Sequence, residues 1–302
     1  MPIKNILIPT DFSENADKAI AYAALLAETL SAKIHLLHVP VIPTYLVFDA
    51  SYTPGPKAVT QILERGQQWL DEVEQRLSAS SSAPVQSALR EGVVHEAIRA
   101  YAEEREIDLL VMGTHGRTGV SKFMYGSVTE RVLKTSPVPT LVVPLKASLV
   151  VPKSIVVAYD FSAPARQAAQ LAAELRADFQ STLTMVHSYL DLWGEYTDRA
   201  TVVGEAADNR REALRLGLRE MLEADAANLT PAGATAPEVQ LCTGDPVQAV
   251  LELAQGDDAT LIAAGTTGKT GIQRLLMGSF ARRLLHESPV PVLFAHGSRD
   301  EV

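Results

Sequence analysis

The chain contains the same domain-sized pattern twice. Residues 4–13 read KNILIPTDFS and residues 153–162 read KSIVVAYDFS, so Asp11 recurs as Asp160, 149 residues on. His38 and His187 fall near the ends of two apolar runs at the same offset. Further along, GTHGRTGVSKFMYGS (113–127) matches GTTGKTGIQRLLMGS (265–279) at seven of fifteen positions, with the offset grown to 152. SPVPTLVVP (136–144) then faces SPVPVLFAH (288–296). A period near 150 exceeds the roughly 20–50 residues of solenoid repeats and matches one ordinary domain. The 302 residues therefore divide into domains 1–146 and 152–298, with a seam near 145–152. Each copy is long enough to bury roughly 68–70% of its unfolded surface around its own core.

Within each copy, short β-branched runs alternate with helical patterns. In the first, Asn5–Pro9 reads as a strand, Ser13 as a helix N-cap, and residues 16–29 as an Ala/Leu-rich helix. Ile34–Val39 is a second strand, and Thr60–Leu77 carries Ile62, Leu63, Trp69, Leu70, Val73 and Leu77 on one helical stripe. Pro84–Leu89 reads as an edge strand, Val93–Glu104 as a helix, and Ile107–Met112 as a buried parallel strand. A helix over 126–135 and a strand over 139–143 close the copy. This alternation predicts α/β architecture with a doubly wound, mostly parallel sheet in each half. Ligands of such sheets bind beyond the carboxyl ends of the strands, so the residues just after each strand matter most.

Those positions carry glycines at fixed spacing. Gly113 and Gly116 are followed after nine residues by Gly126-Ser127; Gly265 and Gly268 are followed after nine by Gly278-Ser279. A strand, a glycine loop and a helix opening at Gly-Ser would present backbone N–H groups and the helix dipole to an anion. His115, Arg117 and Lys269 lie where positive charge could meet a phosphate. A tight turn with a capped helix also fits this spacing, but its retention in both copies favours the anion reading. Asp11 and Asp160 fit an Asx-turn after the strand, which leaves a second carboxylate oxygen for a ligand hydroxyl.

These features resemble the universal stress protein family in its tandem form: the Gly-2x-Gly-9x-Gly-Ser spacing, Asp11-Phe12-Ser13 after the opening strand, and the closing Ser-Pro-Val-Pro strand. The resemblance covers nearly the whole chain. It implies two tandem Rossmann-like (adenine nucleotide alpha hydrolase-like) domains, each a five-stranded parallel sheet flanked by helices, and points to the ATP-binding branch. Carried over, Pro9 and Thr10 would wall the adenine, Asp11 would serve the nucleoside, and Val39 would meet adenine through its backbone. Met112, Gly113, His115, Gly116 and Arg117 would form the loop, and Gly126, Ser127, Val128 and Thr129 would take the phosphates. The second copy offers Asp160, Ser188, Gly265, Gly268, Lys269, Gly278 and Ser279. It departs where Tyr159, Thr267, Phe280 and Ala281 replace Thr10, His115, Val128 and Thr129. Tyr159 is expected to fill the adenine slot or stack in it.

The resemblance thus implies an ATP-binding, stress-response regulatory protein rather than an enzyme, with Mg²⁺ only as carried by the nucleotide. The alternative is a nucleotide-free interaction scaffold of the same fold. Final strands pair domains in this family, which implies intramolecular pairing of the two halves and leaves room for a homodimer and for an unidentified protein partner.

Other classes fit less well. A net charge of −9, from 27 Lys+Arg against 36 Asp+Glu, argues against a general nucleic-acid binder. No unbroken apolar stretch reaches the ~20 residues of a membrane span. The opening MPIKNILIPTDFS reads as a strand rather than a signal peptide. One cysteine, Cys242, fits a reducing cytoplasm and reads as a buried small hydrophobe. Residues 263–270 mimic a phosphate-binding P-loop, but they follow the fourth strand of their half instead of the first. The seven histidines show no metal-ligand spacing. The aromatic-bearing stretches 41–56 and 189–196 read as packing over the second helix of each half, or as covers for a ligand.

Overall fold

The computed structural model describes residues 2–42, 55–114, 127–190, 205–230, 235–255, 260–268 and 277–296. The chain forms two compact units, Met1–Val151 and Pro152–Val302. The first runs β1 (Asn5–Thr10), α1 (Glu14–Leu30), β2 (Lys33–His38), α2 (Gly55–Ser80), β3 (Val85–Leu89), α3 (Val94–Glu104), β4 (Leu109–Gly113), α4 (Ser127–Thr135) and β5 (Thr140–Val143). The second runs β6 (Ser154–Ala158), α5 (Ala163–Phe179), β7 (Thr182–Tyr189), α6 (Glu205–Asn228), β8 (Glu238–Thr243), α7 (Pro246–Ala254), β9 (Thr260–Gly265), α8 (Ser279–Glu287) and β10 (Val292–Ala295).

Within the first unit the strands lie in the order β3-β2-β1-β4-β5, with parallel pairing throughout. Within the second the order is β8-β7-β6-β9-β10, again parallel. Each unit is the parallel sheet that the alternation predicts, with the five strands and Rossmann-like order that the resemblance implies. The strand order reverses between β1 and β4, and between β6 and β9, the point of such sheets whose carboxyl-end side serves ligands. The central strands are covered on both faces, and for that reason their sequences are continuously apolar. Ile6, Leu7, Ile8 and Val111 are fully buried, as are Ile262, Ala263 and Ala264. The outer strands β3 and β8 are half-buried and alternate weakly. Cys242 lies on β8 and is half-buried, so the expectation of a buried cysteine is corrected: an outer strand is covered less fully than a central one.

Local chemistry starts the helices where the repeat predicts. Ser13 Oγ accepts from Ala16 N (3.3 Å) at the start of α1, and Ser162 Oγ accepts from Ala165 N (3.3 Å) at the start of α5. Pro164 occupies the first turn of α5, where a missing N–H costs nothing. Both helices bury alanine-rich faces, which lets them approach their sheets closely: Ala16, Ala19 and Ala23 on α1, Ala165, Ala168 and Ala172 on α5. Each is tied to the next helix by an ion pair. Arg76 Nη2 of α2 meets Asp17 Oδ1 of α1 at 3.0 Å, and Arg166 Nε of α5 meets Asp225 Oδ2 of α6 at 3.8 Å. The two pairs occupy equivalent positions of the repeat with their charges exchanged. Among the described residues, no helix is long and apolar enough to cross a membrane.

Candidate functional site

The turn after the first strand of each unit is built the same way twice. Asp11 Oδ1 accepts from Ser13 N at 3.1 Å, and Asp160 Oδ1 accepts from Ser162 N at 3.0 Å. The residue between, Phe12 or Phe161, is forced into left-handed backbone at φ 59° and 62°. That conformation is unfavourable for a bulky side chain, so packing must hold it. Phe12 lies 4.5 Å from the His38 ring and 5.3 Å from Trp69; Phe161 lies 4.8 Å from His187 and 5.2 Å from Tyr159. The histidines are fixed in turn, His38 Nδ1 on the Thr10 carbonyl and His187 Nδ1 on the Tyr159 carbonyl, both at 2.7 Å. No sequence pattern flags phenylalanine for positive φ, so this half of the turn went unread.

In the second unit these groups border a cleft of about 200 Å³ at the reversal between β6 and β9. Asp160, Ser188, Gly265, Gly268 and Gly278 all line it, so the structure gathers five of the predicted residues. A Cβ on Gly268 would fall 2.8 Å from Asp160 Oδ2. Gly268 therefore gives this carboxylate oxygen its space, while the other oxygen holds the turn. Gly278 is the N-cap of α8 and supplies no side chain to the first-turn amides, unlike Ser13, Ser162 and Asp245 on α1, α5 and α7. Its own N–H donates to the Thr266 carbonyl at 2.9 Å, which fixes the helix end against β9. Ser279 is exposed as the first residue of α8 and is not part of the lining. Ser188 Oγ donates to the Gly244 carbonyl (2.9 Å), so its hydroxyl is engaged within the protein.

Tyr159 lines the cleft next to Asp160. Its hydroxyl donates to Asp225 Oδ2 at 2.6 Å, and burial together with that hydrogen bond pushes the phenol well above its ordinary pKa. The residue continues the ladder past β6 through its N–H to the Val186 carbonyl. Phe280 and Ala281 line the cleft at the start of α8. The remaining apolar wall, to which Pro246 and Val250 of α7 contribute, carries no signature of a ligand site in the sequence. The Asp-Pro signature at 245–246 marks a helix start, but nothing in it announces which cleft the helix will face.

The first unit uses the equivalent positions partly for packing. Thr10 is buried and its Oγ1 accepts from Phe12 N at 3.0 Å, while Pro9 is half-buried beside it. Val39 and Met112 send their side chains into the core cluster with Leu7, Ile98 and Tyr101. Val128 packs against the same cluster. Thr129 Oγ1 donates to the Gly113 carbonyl at 3.1 Å, tying α4 to the end of β4. Ser127 opens α4. Gly113 has a steric reason of its own: a Cβ there would lie 2.6 Å from the Asn15 carbonyl oxygen. Gly265 repeats this, with 2.8 Å to Pro164 Cβ. His115, Gly116, Arg117, Gly126 and Lys269 lie outside the described residues, as do most of the aromatic stretches 41–56 and 189–196. Among the described residues, no group of three or more His, Cys, Asp or Glu could hold a metal ion. Burial raises the Cys242 thiol pKa, which makes it a poor nucleophile.

Comparison with known proteins gives a consistent answer. The family model described as "Universal stress protein family" matches twice, at residues 2–144 and 152–296. A universal stress protein of Synechocystis sp. is 24% identical over 314 residues, covering 96% of this chain and 99% of its own length. One from Methanocaldococcus jannaschii is 32% identical over 141 residues, covering 46% of this chain and 81% of the relative. The crystal structure of a universal stress protein from Archaeoglobus fulgidus superposes with a TM-score of 0.71 at 25% identity, covering 97% of this chain and 98% of that one.

Proposed function

Because this chain belongs to the universal stress protein family, we propose that it is a stress-response regulator that binds ATP in each of its domains, 1–146 and 152–298. The observation that carries this reading is the cleft beyond β6 and β9, where Asp160, Gly268 and the uncapped start of α8 converge. The division of labour on Asp160 supports it. One oxygen is committed to the Ser162 amide, and the other lies where a ribose hydroxyl could donate to it. The apolar wall of Ala158, Val186, Pro246 and Val250 suits a purine base. The first-turn amides of α8, at the positive end of the helix dipole, suit a phosphate. Gly116, Arg117, Gly126 and Ser127 would serve the phosphates in the first domain, with Lys269 in the second.

The proposed role is binding rather than turnover, carried out in the cytoplasm and read by a protein partner, with Mg²⁺ arriving on the nucleotide. Two lining groups that could move protons are already committed in part, Asp160 to an amide and His187 to a carbonyl. The test is a calorimetric titration of the purified chain with Mg-ATP, alongside an assay for released phosphate. Two sites per chain are expected, and Gly268→Val, which drives a side chain into Asp160, removes one of them. Absence of binding, with no nucleotide carried through purification, would move the assignment to a nucleotide-free scaffold. Saturable hydrolysis abolished by Gly116→Val would make the protein an enzyme.

A further inference from the structure

Polar groups enter the second unit's cleft from different strands. Asp160 follows β6, while Gly268 and the start of α8 follow β9. Ser188 comes from β7, two residues after Val186 and on the same face of the strand. It adds a hydroxyl to the apolar wall that Val186 shares with Pro246 and Val250. That hydroxyl is oriented. Ser188 Oγ donates its single proton to the Gly244 carbonyl at 2.9 Å. A carbonyl oxygen only accepts, so the direction of this bond is fixed. What the serine oxygen has left is lone pairs: toward a ligand it accepts and does not donate. Gly244, at φ 96°, also donates its own N–H to the Tyr189 carbonyl at 3.4 Å, so both its polar groups meet the end of β7.

The duplication supplies an internal control. The first copy keeps a left-handed glycine at the equivalent turn, Gly92 at φ 122° between β3 and α3. Yet the residue equivalent to Ser188, 149 positions earlier, is Val39, which is buried in the core cluster. The turn therefore forms without the hydroxyl. The Ser188–Gly244 bond is also exposed to solvent, so it adds little stability of its own. One copy carries an aimed acceptor at this wall, and the other carries an alkyl group.

We propose that Ser188 Oγ reads the base in the second domain, accepting a hydrogen bond from the 6-amino group of adenine and disfavouring 6-oxo purines. This inference rests on the ATP reading above. With the ribose on Asp160 and the phosphates at α8, the base is the part of the nucleotide left to meet the apolar wall and its hydroxyl. The exocyclic N–H donors of adenine all belong to its 6-amino group, which suits an oxygen that only accepts. Hypoxanthine carries an oxygen at that position, which would set lone pair against lone pair. One hydrogen bond of this kind corresponds to about tenfold in affinity. The first domain has Val39 at this position, offers no side-chain acceptor there, and discriminates less.

Two variants separate the sites for the test: Gly116→Val leaves the second domain's site, and Gly268→Val leaves the first's. Each full-length chain is titrated calorimetrically with Mg-ATP and with Mg-ITP. The preference for ATP over ITP is expected to be about tenfold larger at the second site. In the Gly116→Val background, Ser188→Ala is expected to erase that increment by weakening ATP and not ITP. Ser188→Thr, which keeps a hydroxyl, is expected to retain it. A hydroxyl that served only the turn would weaken both nucleotides alike and leave their ratio unmoved. Equal preferences at the two sites, or a ratio untouched by Ser188→Ala, would overturn this inference and leave the ATP assignment standing. A chain that binds neither nucleotide would overturn the assignment itself, and this inference with it.

Discussion

Phe161 is held at φ 62° with its ring buried against Tyr159 and His187. Replacing it with alanine removes the ring and keeps the backbone penalty; replacing it with glycine removes both. Phe161→Gly is therefore expected to be less destabilising than Phe161→Ala, by about 1 kcal/mol, in urea unfolding. This reverses the usual order, so equal or inverted values would mean the left-handed turn carries no strain. At this scale the sequence was legible where a residue's chemistry is local. Ser13 and Ser162 as caps and Asp11 and Asp160 as Asx-turn acids follow from side chains that reach two or three residues along the chain. The left-handed phenylalanines did not follow, because rings from other elements hold them, His38 and Trp69 against Phe12 and His187 against Phe161. The anchor of the Tyr159 hydroxyl was illegible for the same reason: its partner, Asp225, lies 66 residues away.

The element scale explains why two glycines of the motif are steric rather than ligand-facing. Gly113 ends β4 where the start of α1 presses on it, with 2.6 Å from an added Cβ to the Asn15 carbonyl oxygen. That neighbour is backbone and cannot swing aside. Gly113→Ala is expected to lower stability by about 2–3 kcal/mol through overpacking, read as a lower urea midpoint at unchanged slope. Gly268→Ala meets only a side-chain oxygen and should act on ligand binding first. The strand and helix order was fully readable, since a period of two or of 3.6 is written in consecutive residues. Which glycine serves packing and which serves a ligand was not, because spacing alone does not say what stands opposite.

For the whole molecule, pH enters through a histidine outside the site. His35 is 3% exposed, and its ring nitrogens lie 3.2 Å from the Tyr101 hydroxyl and 3.3 Å from Asn5 Oδ1. Burial first, then the Lys33 and Arg105 charges, lowers its pKa from 6.5 to about 4. The folded protein thus keeps the ring neutral, while the unfolded chain takes up a proton near its ordinary pKa. This contribution to stability is complete above about 6.5 and is lost as pH falls toward 4, at up to about 1.4 kcal/mol per pH unit. Melting curves between neutral pH and about pH 4.5 are expected to show the loss, and His35→Asn to shallow its slope. A slope unchanged by that substitution would place the proton uptake elsewhere.

A chain made of two like halves also risks pairing the wrong ones while it folds, a recognised hazard of repeated domains. The exchanged ion pairs bear on that risk. Asp17 answers Arg76 in the first unit, and Arg166 answers Asp225 in the second. If α6 were to dock on α1 during synthesis, Asp225 would face Asp17, and if α2 docked on α5, Arg76 would face Arg166. Each native pair is exposed enough to be worth little by itself. The pairs matter more as addresses: each helix carries the sign that marks its proper partner, and a mispaired repeat meets repulsion at the position where the correct one finds attraction.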